Sequence, residues 1–98
     1  MYTLITAATS AEAQRLKNKL NVPDILLGDH QELPEFMLRS AQMIRLPNPV
    51  SASYTHEMLT LCLDKQIDTI YALGNEEAAL LKQAEQLFTE YGIMVHGQ

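Results

Sequence analysis

The sequence has little of several residue types, and each shortage excludes a class of protein. Its single cysteine, Cys62, forms no internal disulfide, and with no basic signal-peptide segment this predicts a cytoplasmic location. No apolar run approaches the ~18 residues of a membrane span. Seven Lys and Arg stand against 12 Asp and Glu, and the net charge of −5 argues against nucleic acid or an anionic membrane as partner. The length of 98 residues, of which 47% are hydrophobic, predicts one domain over residues 1–98.

Strand-like and helix-like patterns alternate along the chain. Short apolar runs bounded by turn residues predict strands at 2–7, 24–27, 43–46, 67–73 and 93–95. Apolar residues at helical spacing predict helices from Thr9 to about Asn21, from Tyr54 through Cys62, and from Asn75 to just before Gly92. Pro34 is the possible start of a further helical turn through Leu38. There is no internal repeat and no linker composition.

This alternation predicts an α/β, Rossmann-like fold with three layers, α/β/α. Strands separated by helices pair in parallel, so we expect a mostly parallel sheet of about five strands covered on both faces. Right-handed crossovers bring the loops after the first and fourth strands to the carboxyl edge of that sheet. Ligands bind at this edge in such folds.

Two turns at this edge contain candidate ligand-binding residues. The first, Ala7-Ala8-Thr9-Ser10, has no glycine, but its amides open a helix and can bind an anion. The alternative is helix capping, because Thr9-Ser10-Ala11-Glu12 has the form of a capping box with Thr9 as the cap. Asp29 follows the second strand, where a dinucleotide fold has its ribose-binding acid, so half of that fingerprint is present.

The turn after the fourth strand supplies the other candidates. Asn75 is predicted to cap the third long helix, and Glu76 and Glu77 lie in its first turn, where carboxylates favour the helix dipole or contact a substrate. Elsewhere we expect surface histidines, a buried and inert Cys62, and no metal site, catalytic residue or cofactor.

Several segments, taken in order, resemble one known domain family. They are Leu4-Ile5-Thr6 with its small-residue turn, Leu26-Leu27-Gly28-Asp29, Leu46-Pro47-Asn48-Pro49 followed by Tyr54, Cys62 to Asp68, and Phe88 to Val95. Together they look like the pre-ATP-grasp domain that precedes ATP-grasp ligases and occurs in the large subunit of carbamoyl-phosphate synthase. The resemblance covers nearly the whole chain and implies a three-layer parallel α/β fold. Where relatives often have a glycine-rich first turn, this chain has Ala7, Ala8 and Thr9.

The resemblance also implies a function. These 98 residues contain no ATP-grasp domain, so we expect a non-catalytic module that binds a small ligand or an unknown partner protein. The alternative is a small nucleotide- or substrate-binding enzyme or subunit whose site at the carboxyl edge uses Thr9, Ser10, Asp29, Asn75 and Glu77. Asn75 and Glu77 match positions where relatives carry acidic residues. We also expect a homodimer through apolar helix faces that include Leu59, Leu63, Leu80 and Leu87.

Overall fold

A computed structural model describes residues 2–8, 10–20, 24–30 and 43–97. The strands within them are β1 (Tyr2–Ile5), β2 (Ile25–Asp29), β3 (Met43–Arg45), β4 (Ile67–Ala72) and β5 (Met94–Gly97). The helices are α1 (Ala11–Leu20), α2 (Tyr54–Asp64), α3 (Asn75–Gln83) and α4 (Glu85–Glu90). The predicted alternation is confirmed in this part of the chain. Thr9 and the helical turn predicted from Pro34 lie outside the described residues.

The sheet has the strand order β3-β2-β1-β4-β5, and every neighbouring pair is parallel. The chain first moves from β1 outward to β2 and β3, then crosses back to β4 and continues to β5. The direction of winding therefore reverses between β1 and β4, which lie side by side. This is the α/β Rossmann-like architecture that the sequence predicts.

Helices cover both faces of the sheet and give three layers. On one face α1 packs over β1 and β2, in a cluster of small and medium side chains: Ile5, Ala8, Ala13, Ile25 and Leu27. On the other face α2, α3 and α4 enclose a larger cluster that includes Leu4, Tyr54, Met58, Cys62, Ile70, Leu81 and Phe88. Alternate residues of each strand supply the two clusters, because successive strand side chains point to opposite faces.

The prediction of one continuous helix after β4 is wrong. That segment forms α3 and α4, which are separated at Ala84 (φ −101°, ψ 11°). The Ala84 N–H donates to the carbonyl of Leu81, 3.2 Å away and three residues back, so the last turn of α3 tightens. The buried stripe continues through the break, since Leu81 and Phe88 are both fully buried.

The predicted glycine at the end of the helical segment is confirmed. Gly92 has φ +76°, in the left-handed region. Its N–H donates to the carbonyl of Thr89 at 2.9 Å, and the N–H of Ile93 donates to the carbonyl of Phe88 at 3.0 Å. These two hydrogen bonds satisfy carbonyls at the end of α4, and the chain then turns into β5.

The apolar helix residues assigned to a dimer face differ in exposure. Leu59 is buried in the core, at 7% exposure, so its assignment to the surface is wrong. Leu59 belongs to the core cluster on that face of the sheet, together with Met58. Leu63 and Leu87 are exposed, at 47% and 38%. Among the residues that the structure describes, none of the helices has the length and apolar character to cross a membrane.

Candidate functional site

The carboxyl ends of β1, β2 and β4 meet at the point where the winding reverses. The fully buried Thr6 joins two of them: its N–H donates to the carbonyl of Tyr71, and its Oγ1 accepts the N–H of Leu73 at 2.9 Å. The Ala8 N–H donates to the carbonyl of Gly28 at the end of β2. These bonds fix the three strand ends relative to one another, so the side chains that follow them have a rigid base.

β2 ends in two titratable residues. Asp29 is its last residue and is 3% exposed. His30 follows directly, and its side chain is 32% exposed. The Nδ1 atom of His30 lies 3.7 Å from Oδ1 of Asp29. The strand thus places one buried carboxylate and one accessible imidazole at the edge of the sheet.

The turn after β4 places a third titratable group at the same edge. Gly74 occupies the cap position of α3, and Asn75 is the first helical residue, so the prediction that Asn75 caps the helix is wrong. Gly74 has no side chain to cap with, and α3 has no side-chain cap hydrogen bond. Glu77 is the third helical residue, where a glutamate can reach back to the cap amide. Its carboxylate instead turns to β2.

Glu77 binds His30 through one carboxylate oxygen only. Nδ1 of His30 lies 2.9 Å from Oε1 of Glu77, and the ring N–H donates because an ionised carboxylate only accepts. The Glu77 side chain is 2% exposed. Its second oxygen, Oε2, is buried and has no hydrogen-bond partner among the described residues. A Cβ built on Gly74 would stand 3.4 Å from Oε2, so the glycine leaves space beside this atom.

These residues border a cleft of about 270 Å³. Its described lining is His30, Pro49, Gly74, Asn75, Glu76 and Glu77. The residue after β2, the loop before α2 and the start of α3 thus each contribute to the lining. Neither lysine nor arginine is among these lining residues. We call this space the Glu77 cleft.

A second unpartnered polar atom lies in the core near the cleft. The hydroxyl of Tyr54, the first residue of α2, is buried, and none of the described residues forms a hydrogen bond with it. Burial raises the pKa of Tyr54 well above its usual range, and the negative charge of Glu77 raises it further. The phenol therefore stays neutral and experiences the field of the Glu77 carboxylate.

The structure brings together three of the five predicted ligand residues and separates a fourth. Asp29, Asn75 and Glu77 lie at or beside the Glu77 cleft, whereas Ser10 does not line it. The Ser10 Oγ accepts the N–H of Ala13 at 3.2 Å and donates to the carbonyl of Ala7 at 2.7 Å. The Ser10 side chain therefore caps α1, which begins at Ala11. The prediction that Thr9 forms this cap concerns a residue that the structure does not describe.

The glycine-free first turn still contains one residue with left-handed backbone geometry. Ala7 has φ +53°, a backbone conformation that costs alanine more free energy than glycine because alanine has a Cβ. The turn thus bends as a glycine-rich turn does, with a methyl group at its bend. A methyl group there limits how closely a ligand can approach the backbone.

Sequence reasoning missed His30, which the pattern assigned to the surface with His56 and His96. The signal that could have found it is position, since His30 directly follows a strand that ends at the ligand-binding edge. His56 and His96 are exposed, as predicted. No group of three or more His, Cys, Asp or Glu suited to a metal ion occurs among the described residues.

Cys62 is in the core, as the apolar pattern predicts. Its side chain is fully buried on α2, and it has no disulfide. Burial raises the pKa of the thiol to about 12. The thiol is therefore protonated at neutral pH and is a poor nucleophile.

The strand order and the edge site define a class: an α/β Rossmann-like domain with a buried carboxylate and an imidazole at its topological switch point. Neither the models of protein families nor the curated proteins to which the sequence was compared contain a match for this chain.

Proposed function

We propose that this chain is a non-catalytic binding module that takes a small ligand in the Glu77 cleft, at the carboxyl edge of its sheet. The resemblance to the pre-ATP-grasp domain supports this reading, because in that family catalysis belongs to a different domain. One observation carries the proposal: Oε2 of Glu77 is buried beside an open cleft and has no hydrogen-bond partner in the part of the chain that the structure describes.

The energetic cost of this arrangement supports a bound partner. A buried polar group without a hydrogen bond costs about 1–3 kcal/mol, and more when it carries a charge. Glutamine or leucine would fill a similar volume at a smaller free-energy cost, because neither carries a charge. Local arrangements that break the rules of stable packing are concentrated at functional sites. A ligand that donates a hydrogen bond to Oε2 removes this cost.

A thermal-shift screen tests the proposal. Amino acids, small amines, nucleotides and sugar phosphates are each added to the purified chain. A ligand that binds only the folded state raises the melting temperature by mass action, by an amount that increases with its concentration. We expect at least one hit for the parent chain, with no response from the Glu77→Gln variant.

Glu90→Gln is the charge-matched control for this screen. Glu90 is exposed at the end of α4, remote in sequence from the cleft, and its substitution removes the same charge. The parent and Glu90→Gln should respond alike. A screen without hits, or a hit that Glu77→Gln leaves intact, would overturn the proposal. Chemical turnover of a hit would favour the alternative of a small enzyme at this edge.

The proposal includes a homodimer in the cytoplasm. Leu63 on α2 and Leu87 on α4 are exposed apolar side chains, and two-fold pairing is the commonest way to cover such surface. The single protonated thiol of Cys62 suits a reducing compartment. Light scattering should give twice the 11.0 kDa chain mass, and the Leu63→Glu with Leu87→Glu double variant should be monomeric. A monomeric parent contradicts the dimer.

A further inference from the structure

We infer that the ligand of the Glu77 cleft presents a primary ammonium group to Oε2 of Glu77. This inference rests on the proposed function and adds the chemical class of the bound group. Oε2 is a negatively charged hydrogen-bond acceptor that needs a donor. An ammonium group supplies three N–H donors together with a compensating positive charge.

The charges around the cleft favour a cation over a phosphate. Glu76 and Glu77 both line it, and no lysine or arginine is among its described lining residues. Of the lining residues that the structure describes, only His30 has a side chain that can become positive, and its Nδ1 already donates to Glu77. Within the described lining, a phosphate group would therefore meet carboxylates and no lysine or arginine.

The N-terminus of α3 favours an anion, but its partial charge is smaller than the charge of the nearby carboxylates. A helix N-terminus carries about half a positive charge and attracts anions. Glu76 and Glu77 lie within the first turn of that helix and bring two carboxylates to the same end. These two carboxylates offset the partial positive charge of the helix end.

Oε2 lies next to the wall of the cleft. Glu77 and Gly74 both line the cleft, and a Cβ built on Gly74 would stand 3.4 Å from Oε2, so the missing side chain of Gly74 leaves an approach to this atom. Pro49, which is buried, offers an apolar wall for the carbon chain of the ligand.

The volume of the cleft sets the size of the ligand. At about 270 Å³ the cleft is slightly smaller than the pockets that enclose drug-sized molecules, which begin near 300 Å³. A molecule of amino-acid size fits this space. The ligand class is therefore a small primary amine, such as an amino-acid derivative or a short diamine.

NMR titration of the labelled chain tests the inference with named probes. The amines are ethanolamine, putrescine and L-alaninamide, and each is compared with its N-acetyl derivative, putrescine in its diacetyl form. Inorganic phosphate and adenosine monophosphate represent anions. We expect an amine to shift the amide signals of His30, Gly74 and Glu77. Acetylation removes the charge and should weaken binding about tenfold or more, as loss of a charged hydrogen bond does.

The Glu77→Gln variant closes a thermodynamic cycle. It should weaken binding of the amine about as much as acetylation does, and it should leave the weak binding of the acetylated probe unchanged. Glu90→Gln should bind every probe as the parent does. The comparison of amine with acetylated amine needs only the parent chain, so it holds even if Glu77→Gln fails to fold.

The outcomes separate the two proposals. If phosphate, adenosine monophosphate or the acetylated probes bind in the cleft as tightly as the amines, the ammonium inference is overturned while ligand binding at this edge survives. If no probe and no compound of the thermal-shift screen perturbs the cleft, both are overturned.

Discussion

Glu77 and Leu81 lie four residues apart on one face of α3, and both are buried, yet their surroundings differ. Leu81 packs in the large apolar cluster under α2, α3 and α4. Glu77, one turn earlier, bonds His30 at the carboxyl edge and leaves an oxygen unpartnered. Within a single turn, the buried stripe of this helix thus contains one residue that stabilises the core and one that places a carboxylate at the candidate site.

This difference between the two ends of the stripe suggests substitutions that affect either the stability of the fold or ligand binding. Apolar atoms removed from the core leave a cavity that the neighbours fill only in part. At the edge, removing a buried charge also removes the cost of its desolvation. Substitutions on the two sides of this turn should therefore differ in their effect on the free energy of unfolding.

The largest loss is expected at the core end of the stripe. Phe88→Ala should lower the free energy of unfolding by about 3–5 kcal/mol, and Leu81→Ala by about 2–5 kcal/mol, because both side chains are fully buried. Leu87→Ala, next to Phe88 and 38% exposed, should cost less than about 1 kcal/mol. Urea denaturation measures all three. Equal losses for Phe88→Ala and Leu87→Ala would contradict the assignment of the stripe.

The core thiol should make stability depend on alkaline pH. Burial raises the pKa of Cys62 to about 12 from 9.0, so the thiol ionises earlier in the unfolded chain than in the folded one. Its contribution is complete below pH 9.0 and is lost as the pH rises towards 12. The slope is about 1.4 kcal/mol per pH unit for one proton. Denaturation of Cys62→Ala at several pH values should lack this component; an unchanged pH dependence would contradict it.

A glycine that the core needs gives an intermediate effect. A Cβ on Gly28 would stand 2.7 Å from both Cγ and Cδ2 of Leu46, which is buried at 4% exposure. Gly28→Ala should therefore cost about 1–3 kcal/mol, as overpacking does. The double variant Gly28→Ala with Leu46→Ala relieves the clash and should cost less than the sum of the single changes. Additive losses in urea denaturation would show that the two groups do not meet.

The cap of α1 gives a smaller effect. Ser10→Ala removes the acceptor of the Ala13 N–H and should cost about 1 kcal/mol. Ser53→Ala is the control, because Ser53 holds the cap position of α2 without a side-chain cap hydrogen bond. Its denaturation midpoint should stay close to that of the parent. A midpoint of Ser10→Ala equal to that of Ser53→Ala would argue against the cap.

The smallest effect on stability is expected at the edge. Glu77→Gln keeps the shape and an oxygen that accepts the His30 N–H, and it removes a buried charge. The free energy of unfolding should stay within about 1 kcal/mol of the parent or rise. The same variant should lose the ligand. A loss of stability similar to that of Leu81→Ala would show that the Glu77 charge stabilises the fold.

Periodicity and turn signals predicted the fold because they reflect local requirements. Apolar runs at β1 and β4, the stripe of α2 and the glycine after α4 each follow from residues close in sequence. The break at Ala84 was not predicted, since the apolar stripe runs through it unchanged.

The candidate site was predicted only in part, because it depends on contacts between distant segments. Asp29, Asn75 and Glu77 were found from their places after strands. The bond between His30 and Glu77 joins residues 47 positions apart, and no local pattern reveals it. The signal available was Glu77 itself, a charged residue four positions before Leu81 on a stripe that is otherwise apolar.

The central place of β1 governs the order in which this sheet can assemble. β1 comprises residues 2–5, and on one side it pairs with β2, about twenty residues later. On its other side the partner is β4, where Tyr2 lies opposite Ile67. During synthesis the chain therefore displays the open side of its middle strand until β4 has left the ribosome. We expect the closing of this long loop to be the slow step in refolding.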